Sequence, residues 1–332
     1  MGFNEALRPF WHPVLRSEEL PKNKPVQAKL LDELIVLYRT RDEVVCFPDL
    51  CIHRGSALSL GSIKGENLEC PYHGFQFAPD GRCVLIPSLE PDQTIPPKAR
   101  VVRYGAKEAY GVIWVALEEP HTDVFDFPEY TDSAYRTTLV TDVWQANAAR
   151  VIENNYDYTH LAFLHAPMLG LRGDDQVRPA EPSPGRRGWE IIAMPADVLE
   201  PNYAQSHQPI EPMRVPVRYY SRMIMPLTSH TYKVGMDQNG KETSNVYLFP
   251  FAASPMSETE TRIFVWVSRN YSLDWPDEEF GFLMSHILEG DKAVVENQRP
   301  NLIPTDLREE FFLSNESHHV EYRKWLKELG IE

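Results

Sequence analysis

Two short stretches constrain this chain more than anything else in it: Cys51-Ile52-His53 and, sixteen residues later, Cys70-Pro71-Tyr72-His73. Each pairs a thiol with an imidazole and is followed by a glycine, Gly55 or Gly74. Thiolate and imidazole are transition-metal ligands, so a fold that joins the two stretches creates a four-ligand site. A Cys₂His₂ zinc module usually groups its ligands as Cys-Cys and then His-His. Here each loop offers one of each. A small zinc-bound β module, or four unrelated buried residues, are the alternatives.

Composition narrows the setting. Four cysteines (Cys46, Cys51, Cys70, Cys83) in 332 residues argue for metal ligands or free thiols over a disulfide framework. Cys46 and Cys83 lie outside the pattern and are expected to be buried or idle thiols. The N-terminus lacks the basic flank and apolar core of a signal peptide, and no apolar run could span a bilayer, so a cytoplasmic chain is expected. Lys and Arg number 33 against 48 Asp and Glu, a net charge of −15. That balance repels a nucleic-acid backbone or an anionic membrane, so neither is an expected partner.

The first third is dense in strand-like runs: "VQAKLL", "LIVLYRT" and "EVVCFP" before the first Cys/His pair, then "GFQFAPDGRCVLIP" with an Asp80-Gly81 hairpin signal, and "YGVIWVAL". An acidic linker, "EEPHTDVFDFPEY", follows. Beyond it, "YRTTLVTDVW" reads as a strand and "NAARVIENNYDYTHLAFLH" has helical apolar spacing. A Gly/Pro-rich loop from Met168 to Gly188 precedes four strand candidates, "RYYSRMIMPL", "HTYKVGM", "SNVYLFPFAA" and "TRIFVWVSR", and two terminal helices. The expected fold is α+β, with an antiparallel β domain over residues 1–120 and a second domain of antiparallel sheet and helices over 121–332.

In a Rieske [2Fe–2S] centre two histidines replace two cysteines on one iron, and Cys-x-His followed by Cys-x-x-His supplies that set. "CIHRG…CPYHGF" resembles the N-terminal domain of the Rieske non-haem iron oxygenases, the ring-hydroxylating α-subunit family. The respiratory Rieske proteins carry an extra disulfide-forming cysteine in each loop; the corresponding positions here are Ser56 and Tyr72. The resemblance implies that Cys51, His53, Cys70 and His73 hold the cluster.

A cluster alone passes single electrons, so the second half must decide between carrier and enzyme. It contains Asn154-x-x-Asp157-x-x-His160-x₄-His165. Two imidazoles five residues apart at a helix end can converge on one ion if the helix relaxes between them. With a carboxylate they form the facial triad of non-haem Fe(II) oxygenases. The stretch resembles the family's mononuclear-iron motif, and "LEGDKAVVENQRP" resembles the segment carrying its carboxylate, which aligns Asp291 as the ligand. Glu289 and Glu296 are competitors, and Gly290 departs from the acid often found before that aspartate.

The resemblance spans nearly the whole chain and looks closest to single-component N- or O-demethylases and hydroxylating monooxygenases. It implies a helix-grip (START-like) second domain. It also implies a head-to-tail homotrimer in which Asp157 bridges His160 and a neighbour's His73, and Asp157 and Asn154 are the candidate catalytic residues. O₂ and a small aromatic or heterocyclic molecule would be the substrates. No G-x-G-x-x-G fingerprint is present, so electrons from NAD(P)H would come through a separate ferredoxin or reductase. Cis-dihydroxylation is an alternative outcome. An electron carrier, or a helix-grip ligand-binding protein, is an alternative of another class. Met223, Met225, Phe249, Leu283 and Ile287 are candidate pocket residues; His12, His121, His207, His230, His286, His318 and His319 have no ligand spacing, and His318-His319 reads as a solvated helix face.

Overall fold

Alternating apolar residues make strands wherever one face can be buried, and most of this chain takes that course. The structure, a computed structural model, describes residues 2–90, 92–166, 185–192, 196–201 and 214–331. Position 207 and most of the Gly/Pro-rich stretch, 168–184, lie outside the described residues. The chain divides into two compact units: Leu7–Val124 with Pro255–Ser257, and Phe125–Ser254 with Met1–Ala6 and Glu258–Glu332.

After a short helix α1 (Phe3–Leu7), the first unit holds β1 (His12–Arg16), β2 (Val26–Leu30), β3 (Glu33–Arg39), β4 (Val44–Pro48), β5 (Ser62–Lys64), β6 (Asn67–Glu69), β7 (Gln76–Phe77), β8 (Cys83–Leu85), β9 (Gly105–Ala109) and β10 (Val112–Ala116). They form three antiparallel sheets, β1-β10-β9, β2-β3-β4 and β5-β6-β7-β8. Gly81 makes the β7–β8 turn at φ +85°, and a Cβ there would strike the Val101 carbonyl. Val36, Tyr38, Phe47, Leu68 and Phe77 are fully buried and pack with Cys51 and Cys70 in one core. At about 1.5–3 kcal/mol for each large apolar side chain buried, that core anchors both Cys/His loops.

The second unit is a mostly meandering antiparallel sheet: β11 (Arg136–Trp144), β12 (Gly185–Arg187), β13 (Glu190–Ile192), β14 (Ala196–Pro201), β15 (Arg214–Ile224), β16 (Thr228–Met236), β17 (Glu242–Ser257) and β18 (Glu260–Arg269). Their order is β11-β18-β17-β16-β15-β13-β12, with β14 also paired to β15. Helices α2 (Ala148–Asn155), α3 (Asp277–Val295) and α4 (Ser317–Glu328) complete it. This is the expected α+β architecture, a β-rich first part and an antiparallel sheet gripping a long helix. No helix among the described residues is long and apolar enough to cross a membrane.

Three expectations need correction. The helix after β11 ends at Asn155, short of the histidines; His160 sits in a separate 3₁₀ turn, Thr159–Ala162. The Asp157 carboxylate accepts the Thr159 amide at 2.8 Å and the Thr159 hydroxyl at 2.7 Å, a local side-chain bond that competes with helix continuation. The acidic "linker" is anchored, because Phe125 and Phe127 are buried against His230. His318 and His319 are not solvated: they begin a buried stripe completed by Tyr322, Arg323 and Leu326.

Candidate metal centres

The two Cys/His loops are built alike. The Cys51 amide donates to the Ser56 carbonyl at 2.8 Å and the Gly55 amide to the Cys51 carbonyl at 2.9 Å. In the other loop Cys70 donates to Phe75 at 2.8 Å and Gly74 to Cys70 at 3.1 Å. Both turns close through glycines at φ 70° and 69°, a left-handed conformation that a Cβ resists. Cys51 and Cys70 are buried, whereas His53 and His73 are exposed with ring centroids 4.6 Å apart. Phe75 stacks on His53 at 4.8 Å.

The Cys51 thiol faces Cys70. Burial pushes it up to about 11, against the pull of the His53 and Arg54 amides aimed at its sulfur. Those amides suit a thiolate whose proton a metal has displaced. Buried sulfurs and exposed imidazoles on matched loops fit the Cys₂/His₂ division of a Rieske cluster. Cys46 and Cys83 are buried free thiols near backbone carbonyls, with Cys83 Sγ 3.4 Å from Leu85 O.

The second cluster of donors is assembled from separate elements. His160 and His165 lie past the end of α2 and Asp291 lies on α3, with one donor atom from each within 4.8 Å of the others. His165 Nε2 is 3.0 Å and His160 Nε2 3.5 Å from Asp291 Oδ1. Asn154 Nδ2 donates to the same oxygen at 3.0 Å. The α3 positions facing inward are Phe280, Met284, Leu288, Asp291 and Val295, so Asp291 is a carboxylate in an otherwise apolar stripe. Glu289 is exposed, and Glu296 accepts the Gln145 amide at 2.8 Å. Gly290 lies beside the imidazole: a Cβ there would stand 3.6 Å from His165 Cε1, in ordinary van der Waals contact. Two imidazole nitrogens and one carboxylate oxygen fit a mononuclear ferrous ion with open positions.

Asp157 fixes the first ring. Its Oδ2 is 3.0 Å from His160 Nδ1, which leaves Nε2 turned toward Asp291. Burial works to raise the Asp157 carboxyl, but the His160 hydrogen bond and charge hold it well below the usual carboxylate range. Burial likewise opposes charge on His160, and Asp157 and Asp291 carry its imidazole upward.

These donors floor a cavity of about 100 Å³. Its sheet wall follows from the register. Tyr219, Lys233 and Tyr247 lie side by side on β15, β16 and β17; Ser221, Thr231 and Phe249 form the next row; Met223, Ser229 and Phe251 form a third. All of the first row, and Thr231 and Phe249 of the second, line the cavity together with Leu283 and Ile287 of α3, as expected for Phe249, Leu283 and Ile287. Met223 and Met225 do not line it. Met223 falls in the third row, where Ser229 bonds Asn155, and both methionines are core residues.

Sequence reasoning missed what holds α2 in place. Arg323 donates to both Glu153 oxygens, at 2.6 and 2.7 Å, and also to Glu310, whose other oxygen takes Arg150 at 2.6 Å. Arg150 and Arg323 are buried. Asn147 caps the start of α2 by accepting the Ala149 amide at 3.1 Å. The helix carrying Asn154 is thereby fixed at both ends. Glu153 and Arg323 are 170 residues apart, beyond any local pattern.

Comparison with known proteins shows the family. Residues 10–103 match the Rieske [2Fe-2S] domain and residues 144–331 the vanillate O-demethylase oxygenase C-terminal domain. The chain is 31% identical over 335 residues to the methylxanthine N1-demethylase NdmA of Pseudomonas putida, covering 98% of this chain and 90% of that one. The structure of NdmA with caffeine superposes with a TM-score of 0.83 at 29% identity, covering 98% and 91%. The toluene-4-sulfonate monooxygenase iron-sulfur subunit TsaM1 of Comamonas testosteroni is 31% identical over 178 residues, 52% of this chain and 50% of that one. The chain belongs to the Rieske non-haem iron oxygenase family. It is an oxidoreductase, a terminal oxygenase with a Rieske [2Fe–2S] domain.

Proposed function

We propose that this enzyme hydroxylates, or oxidatively demethylates, a small aromatic or heterocyclic molecule at a mononuclear Fe(II) held by His160, His165 and Asp291. The observation that carries this reading is the convergence of those donors, with Asn154 on the carboxylate, at the floor of a cavity walled by aromatic and aliphatic side chains. The relatives' names supply the reaction class: NdmA is a methylxanthine N1-demethylase, and TsaM1 serves a monooxygenase acting on an arene sulfonate.

Cys51, His53, Cys70 and His73 would hold the cluster within a domain spanning 1–120, and residues 121–332 would form the catalytic domain. The two centres together supply single electrons and O₂ activation, so that one oxygen atom enters a substrate C–H bond and the other leaves as water. The chain's own residues set the geometry. Asp157 orients His160 through Nδ1, Asn154 orients Asp291, and Tyr219, Phe249, Leu283 and Ile287 exclude water from the substrate face. If the oxidised carbon is an N- or O-methyl group, the hydroxymethyl product breaks down to formaldehyde.

By family likeness the working unit is a cytoplasmic homotrimer fed with NAD(P)H electrons by a separate reductase. Asp157 would then also meet His73 of the neighbouring subunit, since a head-to-tail contact must close into a ring or run on as a filament. The test is oxygen uptake by iron-loaded protein with a surrogate reductase across a panel of N- and O-methyl arenes, scored for formaldehyde and ring-hydroxylated product. Substrate-dependent uptake with either product is expected. Uptake that no candidate stimulates, in protein with both metal sites filled, would contradict the proposal.

A further inference from the structure

Two walls of the cavity run away from the three donors and end at the same place. Along α3 the lining residues proceed from Asp291 through Leu288, Ile287, Met284 and Leu283 to Phe280, a span of about 16 Å at the helical rise of about 1.5 Å per residue. Along β17 the rows proceed from Phe251, opposite Ser229, through Phe249 to Tyr247, and Ser229 bonds Asn155 at the donor end. The Tyr247 and Phe280 ring centroids lie 6.4 Å apart. Tyr271 lines the same cavity. It follows Asn270, whose side chain accepts the Val246 amide at 2.8 Å, and this places it at the far end beside Tyr247.

Tyr271 belongs to the loop between β18 and α3, where Ser272 adopts φ +47°, a left-handed conformation that a side chain resists unless the surroundings hold it. Two arginines do so. Arg269, fully buried, donates to the Trp275 carbonyl at 3.0 Å and to Asp277 Oδ1 at 2.8 Å, with its guanidinium 3.8 Å from the Phe280 ring centroid. Arg136 donates to the Leu273 carbonyl at 2.6 Å and to Asp277 Oδ2 at 2.8 Å. One carboxylate in the first turn of α3 therefore ties the loop to the helix that carries Asp291 further along.

We propose that Tyr271 is a specificity-determining residue, the stop that sets how long a substrate can be and still place its reacting carbon at the three donors, and that Asp277, acting through Arg269 and Arg136, is the positioning residue that holds the stop. This rests on the oxygenase reading above and deepens it. Up to the stop, each methylene a ligand buries against the aromatic and aliphatic wall raises affinity about fourfold. Past it, a longer chain meets the Tyr271 ring or pushes its other end off the donors, and the gain ceases.

The test is binding, measured by calorimetry on iron-loaded protein without reductant, with the 4-alkylphenols from 4-methylphenol to 4-heptylphenol as a ruler. The longest member, fully extended, is comparable with the span from Phe280 to Asp291. In wild type, affinity should climb with each methylene and break off within the series. The break should move to a longer member in Tyr271→Ala and to a shorter one in Tyr271→Trp, with the cluster's visible spectrum unchanged. In Asp277→Ala, members beyond the wild-type limit should gain affinity while those short of it bind as before, a split that a general loss of stability does not produce. Affinity that climbs through to 4-heptylphenol in wild type, a break that both Tyr271 variants share with wild type, or no binding by any member would each overturn the proposal. The Tyr271 variants decide the question even if Asp277→Ala fails to fold. A break that moves with Tyr271, in protein whose oxygen uptake no methyl ether of these phenols stimulates, would break the oxygenase reading and leave the stop in place.

Discussion

The two proposed centres divide their surroundings in opposite ways. Around Cys51 and Cys70 the sulfurs are buried and the imidazoles of His53 and His73 face solvent. At the other site the side chains of His165 and Asp291 are only 2% and 8% exposed, and His160 19%. An exposed ring edge suits a group that hands on electrons. An enclosed cluster under a cavity suits a group that must hold substrate and keep water out.

Construction differs too. The first site comes from two copies of one local turn, each fixed by its own glycine and backbone bonds. The second draws on a helix end, a 3₁₀ turn and a second helix far along the chain, held by side-chain bonds to Asp157, Asn154 and Glu153. A repeated local device survives single changes outside its own loops; a composite one depends on its supports.

The sharpest way to break this contrast is Asp291→Ala, which should abolish turnover while the visible spectrum of the cluster persists. Glu289→Ala, on the exposed face of α3, should leave turnover near wild type. The reverse pattern, read in the oxygen-uptake assay, would reassign the carboxylate.

Arg323→Met tests the composite site's support. It removes the hydrogen-bonding partner of Glu153, which keeps Arg150 at 3.9 Å, and one partner of Glu310 in a buried network, and breaking such pairs costs about 3–5 kcal/mol. Chemical denaturation of the iron-loaded protein should show that loss, with the cluster spectrum of the folded variant unaltered. A loss below about 1 kcal/mol would match a surface pair instead.

Asp157→Asn should have the smallest of the three effects, because no ligand is lost. A carboxylate that holds the far nitrogen of a metal-ligating imidazole typically accounts for about 10- to 100-fold in activity or affinity. Both metal sites should stay filled while single-turnover oxidation of the reduced cluster slows by that factor. An unchanged rate would remove Asp157 from the electron route.

The same contrast explains what could be read from sequence. The Cys/His loops announce themselves because ligands and turn glycines are neighbours in the chain, and the strands because their alternation is local. Asp291 was legible through its resemblance, and its position in the inward stripe of α3 gives the physical reason. The end of α2 at Asn155 was hidden because no proline or glycine marks it; the Thr159 amide, donating to the Asp157 carboxylate, accompanies it instead. His318 and His319 looked polar and therefore exposed, yet Tyr156 packs on His318 at 5.1 Å.

Metal and sulfide analysis of wild type and Asp291→Ala side by side tests the central claim most directly. Two independent centres require three iron atoms and two acid-labile sulfides per wild-type chain, falling to two irons with sulfide unchanged in the variant. Protein holding only zinc without sulfide, or an Asp291→Ala variant that keeps its third iron, would contradict the account.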